Sequence, residues 1–405
     1  MSCRTYRGML LGLILSIIPI YSSAQINYDS LVESDWATPA SKEYPAADPD
    51  KNPEEKFLPQ LITQDTLGIC YGASVSTILN FEQCKQMNVA NCKKDLPDSK
   101  RVSAVGISRY GRDAGMDDDD TQDGNYKKLG EGGDGTRVLS MAVDIVDRLP
   151  SEKCVSLEKI LSKGVFKNKD EITLAQRAIW DNLKQDYDKY REAVASNCKD
   201  CADKYYQRAA ETVSKNLKVE EDQKSTGSLR SDPAKLLAAF QKETYEEALN
   251  TLLYPAECSN PTNGIELAGK NNFEVKNYPE LGKADREQAL GKIVSILQSR
   301  QPVLLEPICV ADCSDEAKNK CVKACTTKEC KDSCGPKYHS AVVAGYRKIC
   351  KKDNPSSCRY ALKVINSGGA SWQKANNDGW LEADPLMKNV KIDSLSLAWL
   401  GAKKN

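Results

Sequence analysis

The chain has 405 residues with 57 basic and 57 acidic side chains, so its formal net charge is zero. This balance gives no electrostatic support to nonspecific nucleic-acid binding, which depends on neutralising phosphates. Hydrophobic residues at 40 % and charged residues at 28 % are typical of a globular protein with a sizeable core. The composition therefore argues against fibrous, disordered and multispanning membrane proteins, whereas 16 cysteines and a single histidine are unusual counts.

The N-terminus has the pattern of an export signal over residues 1–24. Arg4 and Arg7 precede an apolar run that ends at Ile20, and small residues follow as far as Ala24. We expect cleavage after Ala24, because the apolar run is short for an uncleaved membrane anchor. The mature protein is then secreted or periplasmic and not bound to a membrane. Proline follows both candidate glycosylation asparagines, which favours a bacterial source.

Export into oxidising surroundings predicts that most cysteines form disulfides. Removing Cys3 with the signal leaves 15 cysteines, so at least one must stay unpaired. The spacing of the cysteines cannot fix the disulfide connectivity, but it suggests local partners for all of them except Cys70. The suggested pairs are Cys84–Cys92, Cys154–Cys258, Cys198–Cys201 and Cys350–Cys358, with six further cysteines clustered over 309–334.

After an N-terminal extension or short pro-segment over 25–57, the next informative segment is 64–81. A glycine-containing turn leads into apolar positions spaced for a helix, which places Cys70 at or beside the helix N-terminus. The positive end of a helix stabilises a thiolate, and Gln64 lies six residues earlier, where its amide could donate to an oxyanion. Taken alone, such a cysteine is more often a buried structural residue.

Residues 150–270 form a predicted helical insertion. Helical periodicity runs over 170–194, 202–217 and 233–253, and 220–232 is a polar connector. Two interpretations stay open: helices that pack on the rest of the protein for stability, or a lid or exosite that selects a partner.

Two segments resemble metal sites. The cysteines of 309–334 predict a disulfide-stapled helical hairpin rather than a zinc site, because the protein is exported and the segment has no histidine. The acidic run 117–124 imitates part of a calcium loop, but Gly130 stands where the last ligand is needed. We therefore expect no metal and no cofactor.

The single histidine, His339, opens a small and β-branched run that predicts a buried strand. A cysteine nucleophile needs one imidazole as ion-pair partner and acid, and this chain has one. A later predicted strand ends at Asn366, whose side chain could hold the ring of His339 in the useful tautomer.

The order Gln64, Cys70, His339, Asn366 resembles that of the papain family of cysteine peptidases. Gly132 and Gly133 resemble the glycine pair that lines the family's substrate cleft. Segment 301–304 is similar to the strand that opens the family's second domain, and 372–381 is similar to its closing aromatic strands. The resemblance covers about residues 58–145 and 270–385. It implies Cys70 as nucleophile, His339 as base, Asn366 as orienting residue and Gln64 as oxyanion donor.

Three positions depart from the family pattern. Leu67 replaces a cysteine, Tyr71 replaces a tryptophan directly after the nucleophile, and Gly368 replaces the tryptophan that follows Asn-Ser. Losing that last indole could expose a His339–Asn366 bond to water unless Trp372 covers it.

The resemblance implies an α+β protein with a papain-like two-lobe fold: a helical lobe over 58–149 and an antiparallel β-barrel-like lobe over 271–405. The expected activity is endopeptidase cleavage of proteins or peptides through a Cys70 thioester. Two alternatives remain, a catalytically impaired papain-like binding scaffold and a cell-wall peptide amidase. We expect no nucleic-acid partner, and the sequence leaves the oligomeric state open.

Overall fold

The computed structural model describes residues 55–64, 67–111, 132–156, 169–216, 233–254, 258, 264–280, 282–309, 319, 322–323, 338–350 and 358–403, with the backbone alone for 169–181, 214–216, 233, 348–350 and 371. The described chain is of the α+β class, as predicted, with one six-stranded antiparallel sheet. The helices are α1 (Cys70–Gln86), α2 (Cys92–Asp95), α3 (Ala104–Ser108), α4 (Gly135–Ser140), α5 (Lys169–Ala195), α6 (Lys199–Asn216), α7 (Pro233–Phe240), α8 (Tyr245–Leu253), α9 (Arg286–Gln298), α10 (Gly369–Ala375) and α11 (Ala383–Lys388). The strands are β1 (Phe273–Tyr278), β2 (Val303–Cys309), β3 (Tyr338–Cys350), β4 (Cys358–Ile365), β5 (Trp380–Glu382) and β6 (Ser396–Ala402).

The sheet has the order β1-β6-β2-β3-β4-β5. Strand β3 pairs with β2 on one side and, from Val342 onward, with β4 on the other; His339 lies opposite Ile308 of β2. Side chains alternate between the faces, as strand geometry requires. Leu304 and Val342 join the core beneath α1, whereas Leu305, Val343 and Val364 join a second core with α9 and α11.

Helix α1 lies at the centre of the protein and is buried along almost its whole length. Its apolar residues Val75, Ile78 and Leu79 pack toward the sheet, while its polar residues bond to neighbouring backbone. Asn80, for example, accepts from the Val102 amide at 2.7 Å and donates to the Val102 carbonyl at 3.1 Å. Satisfying these groups lets a polar helix be buried without the cost of unpaired donors and acceptors.

Helices α5 to α8 confirm the predicted helical content of the segment 150–270, with one difference. The run 233–253 forms two helices rather than one, because Thr244 adopts an extended conformation and its hydroxyl accepts from the Glu247 amide at 3.2 Å to begin α8. The four helices share a core that includes Tyr187, Tyr190 and Phe240, with ring centroids 5.4 to 5.9 Å apart at the Phe240 contacts.

Three of the predicted disulfides form: Cys84–Cys92, Cys154–Cys258 and Cys198–Cys201. Cys350 and Cys358 stand opposite each other in the β3–β4 register, and the Cys358 sulfur is disulfide-bonded. Cys70 is free, as predicted.

Several predictions lie outside the described residues: the export signal, most of the N-terminal extension, the acidic run 117–124, the connector 220–232 and most of the cysteine-rich segment 309–334. Within the described ranges, no helix has both the length and the apolar character to cross a membrane. The same ranges contain no group of three or more His, Cys, Asp and Glu side chains placed to hold a metal ion.

Candidate active site

Cys70 is the first residue of α1, as the turn-to-helix pattern predicts. Leu67 and Ile69 on the loop before it are fully buried and fix the point at which the helix begins. Cys70 is a free cysteine and, as a residue, partly exposed. Its thiol sits at the positive end of the helix dipole, where a thiolate is stabilised.

His339, near the start of β3, connects Cys70 to Asn366. Its Nε2 lies 2.6 Å from the Oδ1 of Asn366, which directly follows β4 and is buried. A hydrogen bond joins the His339 ring to Cys70, and the Asn366 bond leaves Nδ1 for that contact. The amide oxygen accepts from Nε2–H and so fixes the tautomer in which Nδ1 can exchange a proton with the sulfur.

The two reactive groups shift each other's pKa. Burial favours the neutral thiol, yet the hydrogen bond and charge of His339, with a hydrogen bond from the Ser340 backbone, hold the pKa of Cys70 below its usual range. Burial likewise opposes imidazolium, but the contacts with Cys70 and Asn366 raise the pKa of His339. Opposite shifts of this kind are those of a thiolate–imidazolium pair.

Gln64 is tied to the residues after Asn366. Its backbone amide donates to the Ser367 carbonyl at 2.9 Å, and the Ser367 hydroxyl donates to Gln64 Oε1 at 2.5 Å. The adjacent residue, Thr63, forms a β-bridge with Gly368. The Ser367 hydrogen bond orients the Gln64 amide, whose Nε2 is its donor for a ligand.

Gly132 and Gly133 lie on the segment before α4. The Gly132 amide donates to the Gly68 carbonyl at 2.7 Å, so this segment is bound to the loop that leads to Cys70. Gly132 has φ +87°, a conformation that favours glycine. A Cβ at Gly133 would lie 2.8 Å from Cζ of Tyr71, so the Tyr71 ring needs glycine there.

Two departures from the papain pattern have local explanations. The Tyr71 ring packs beneath the glycine segment, and its hydroxyl donates to the Ser108 carbonyl at 2.9 Å. A Cβ on Gly368 would lie 2.8 Å from Cβ of Trp372 and 3.3 Å from Nδ2 of Asn366. Trp372 therefore fills the space beside Asn366 that a side chain at 368 would need.

Sequence reasoning missed Glu306, a buried acid in β2 close to this site. Burial, and next to it the charge of Asp134, raises the pKa of the Glu306 carboxyl. Hydrogen bonds to the carboxyl lower its pKa; they come from Ser340, Thr136 and Gly135. The net result is a pKa of about 7. The signal was present in the sequence, since Glu306 is the one acid in an otherwise apolar strand.

The structure thus joins Cys70, His339 and Asn366 by hydrogen bonds, and it joins Gln64 to the same place through Ser367. The glycine pair is bound to the loop before Cys70. No protein-family model matches the chain, and the comparison with curated proteins found no match. A free thiol paired with an oriented imidazole can carry out nucleophilic attack and proton transfer at a carbonyl.

Proposed function

We propose that the protein is an exported papain-like cysteine endopeptidase that hydrolyses peptide bonds in proteins and peptides. One observation carries the proposal: the free Cys70 thiol opens a buried helix and bonds to His339, which Asn366 holds at 2.6 Å. Helix dipole, imidazole and orienting amide are the three devices that activate a cysteine nucleophile.

In the proposed acylation step, the Cys70 thiolate attacks the carbonyl carbon of the scissile bond and the carbonyl oxygen takes the negative charge. The backbone N–H of Cys70 and the Gln64 amide stabilise this oxyanion. His339 gives its proton to the leaving amine as the C–N bond breaks, which leaves a thioester on Cys70.

In the proposed deacylation step, neutral His339 takes a proton from water, and the hydroxide attacks the thioester carbonyl. The C–S bond then breaks, releasing the acid and restoring the thiolate–imidazolium pair. Asn366 keeps the ring in one orientation through both steps. Gly132 and Gly133 leave space for an extended substrate backbone beside the thiol.

We also propose the papain-like two-lobe arrangement, with the helices of 150–270 inserted between lobes over 58–149 and 271–405. The packing of α1 on the antiparallel sheet supports this arrangement. The positions of the reactive pair also support it, because Cys70 begins α1 whereas His339 lies near the start of β3 in the sheet. Disulfides support the proposed export to a secreted or periplasmic location.

The first test is alkylation of Cys70 in the native, unreduced mature protein from pH 4 to 9, with His339→Ala for comparison. We expect rapid labelling of Cys70 that persists into acid in the wild type, because the lowered thiol pKa keeps a thiolate present. In His339→Ala the labelling should appear only at alkaline pH. Identical profiles in the two proteins would contradict the ion pair.

The second test separates the substrate classes. The wild type and Cys70→Ala are compared on casein, on fluorogenic dipeptide amides and on purified peptidoglycan. Cleavage of the first two alone supports an endopeptidase, and cleavage of peptidoglycan alone would indicate the cell-wall amidase instead. A protein with an activated Cys70 and no cleavage of any of these would be a binding scaffold.

A further inference from the structure

We propose that Glu306 is a positioning residue for the Cys70–His339 pair: its carboxylate binds the strand that carries His339 to the segment that carries Gly132 and Gly133. The inference deepens the proposed function and rests on it where turnover is measured. The contacts themselves do not depend on any activity.

Glu306 keeps the regular alternation of β2 and lies on the same face as Leu304, where both side chains approach Gly135. Because Leu305 pairs with Ala341, Glu306 lies opposite Ser340, and the register of β2 with β3 shifts only after it, before Ile308 pairs with His339. Bulges of this kind are common near active sites. The carboxylate therefore lies opposite the residue that follows His339 on the neighbouring strand.

Four donors converge on the two carboxylate oxygens. The Ser340 hydroxyl and the Gly135 amide donate to Oε2 at 2.6 and 3.2 Å. The Thr136 amide and hydroxyl contact Oε1 at 3.0 and 3.2 Å. Gly135 has to be glycine for this approach, because a Cβ there would lie 2.8 Å from Oε2.

These bonds belong to a hydrogen-bond network around the reactive pair. On β3, the Ser340 carbonyl accepts from the Ser74 hydroxyl of α1 at 3.0 Å. On the segment before α4, the Gly132 amide donates to the carbonyl of Gly68, two residues before Cys70. Glu306 joins these two parts of the network, because it binds both Ser340 and Gly135.

The chemistry of the carboxylate argues that its role is positional. An ionised carboxylate can accept from all four donors at once, whereas a glutamine amide must turn its NH₂ toward one of the two backbone amides. Burial also makes the charged form costly, so folding alone would favour an apolar residue beside Leu304 and Leu305. A buried acid that costs folding free energy, and whose hydrogen bonds join the segments on both sides of the reactive pair, is typical of a functional site.

The titratable groups that face Glu306 come from three elements. Cys70 lies at the start of α1, Asp134 precedes α4, and His339 is next to Ser340 on β3. The charge of Glu306 raises the pKa of Cys70, which opposes the effect of His339. With a pKa of about 7, Glu306 is uncharged in acid solution, so there it acts on the thiol only through the contacts that position His339.

The test compares Glu306→Gln, Ser340→Ala and a control on the same sheet, Glu274→Gln in β1. Ser340→Ala removes the hydrogen bond between β3 and the Glu306 carboxylate and keeps the carboxyl group, whereas Glu306→Gln replaces the carboxyl group itself. The readouts are kcat and KM on a fluorogenic dipeptide amide and the pH profile of Cys70 alkylation by iodoacetamide. Circular dichroism shows whether each variant folds, and Ser340→Ala decides the question if Glu306→Gln does not fold.

We expect kcat to fall about 10-fold or more in both site variants with KM little changed, because the loss is one of geometry in the reacting pair. The acid limb of alkylation should move to higher pH in Glu306→Gln and in Ser340→Ala, because a displaced imidazole stabilises the thiolate less, and it should stay at the wild-type pH in Glu274→Gln. Wild-type kcat in both site variants would overturn the inference. If the wild type hydrolyses nothing, the proposed function fails by itself, and unshifted profiles in both site variants would then overturn the inference separately.

Discussion

Glu306 should make the stability of the protein depend on pH in a way that a single substitution removes. Its folded-state pKa of about 7 lies above the ordinary glutamate pKa of 4.5. For a group with a raised folded pKa, the stabilisation is fully present below the unfolded pKa and is lost as the pH rises through the folded pKa. The loss should therefore fall between about pH 4.5 and 8.

The size of the effect follows from the two pKa values. A difference of 2.5 pH units corresponds to roughly 3 kcal/mol, since each unit is about 1.4 kcal/mol. In Glu306→Gln this contribution is absent, so the free energy of unfolding should fall less between pH 4.5 and 8 than in the parent protein, by about 3 kcal/mol. The neutral amide titrates nowhere in this range.

Urea unfolding at a series of pH values measures this difference. The experiment uses the Cys70→Ala background, which removes the thiol that interacts with Glu306 and prevents any self-cleavage during unfolding. Glu274→Gln in the same background is the control, and it should keep the pH dependence of its parent. Equal pH dependence in Glu306→Gln and its parent would refute the reasoning, because the carboxyl would then have similar folded and unfolded pKa values.

Three further substitutions test other contacts. Leu67→Ala should cost about 2–5 kcal/mol of unfolding free energy in urea, because Leu67 is fully buried; a cost below about 1 kcal/mol would contradict this. Gly133→Ala should raise KM for peptide amides, because its Cβ would lie 2.8 Å from the Tyr71 ring; Tyr71→Phe, which keeps the ring, should not relieve it. Ser367→Ala should lower kcat about 10-fold and leave the pH profile of Cys70 alkylation unchanged, because the Ser367 hydroxyl binds Gln64 and not the thiol. An altered alkylation profile would contradict this role of Ser367.

The sequence was informative where chemistry demands particular residue types. A single histidine and an odd number of cysteines after signal removal leave few ways to build a thiol site, and the structure brings Cys70, His339 and Asn366 together. Periodicity also indicated the helical content of 150–270, and cysteine spacing suggested three disulfides that form, whereas the α+β class was implied by the family resemblance. Periodicity and spacing are local patterns, which a single sequence displays directly.

The contacts that could not be predicted from the sequence are long-range ones. Glu306 and Gly135 are 171 positions apart, and no pattern within β2 indicates which distant segment the Glu306 carboxylate contacts. The place of Trp372 beside Gly368 depends on a helix, α10, that begins only after the asparagine. Packing of this kind is set by the whole fold, so periodicity along one strand or helix cannot predict it.

The described structure also bears on the two interpretations of the helical insertion. Leu67 and Ile69, which lead directly into Cys70, belong to the same buried core as helices α5 to α8. The Arg109 guanidinium lies 3.6 Å from the ring centroid of Tyr254, just after α8, and Cys154–Cys258 joins the segments on either side of the helices. A lid that opens would have to expose this core, at a cost that grows with the apolar area uncovered. The helices therefore support the loop that positions the thiol, and any selection of partners by the insertion must use its outer face.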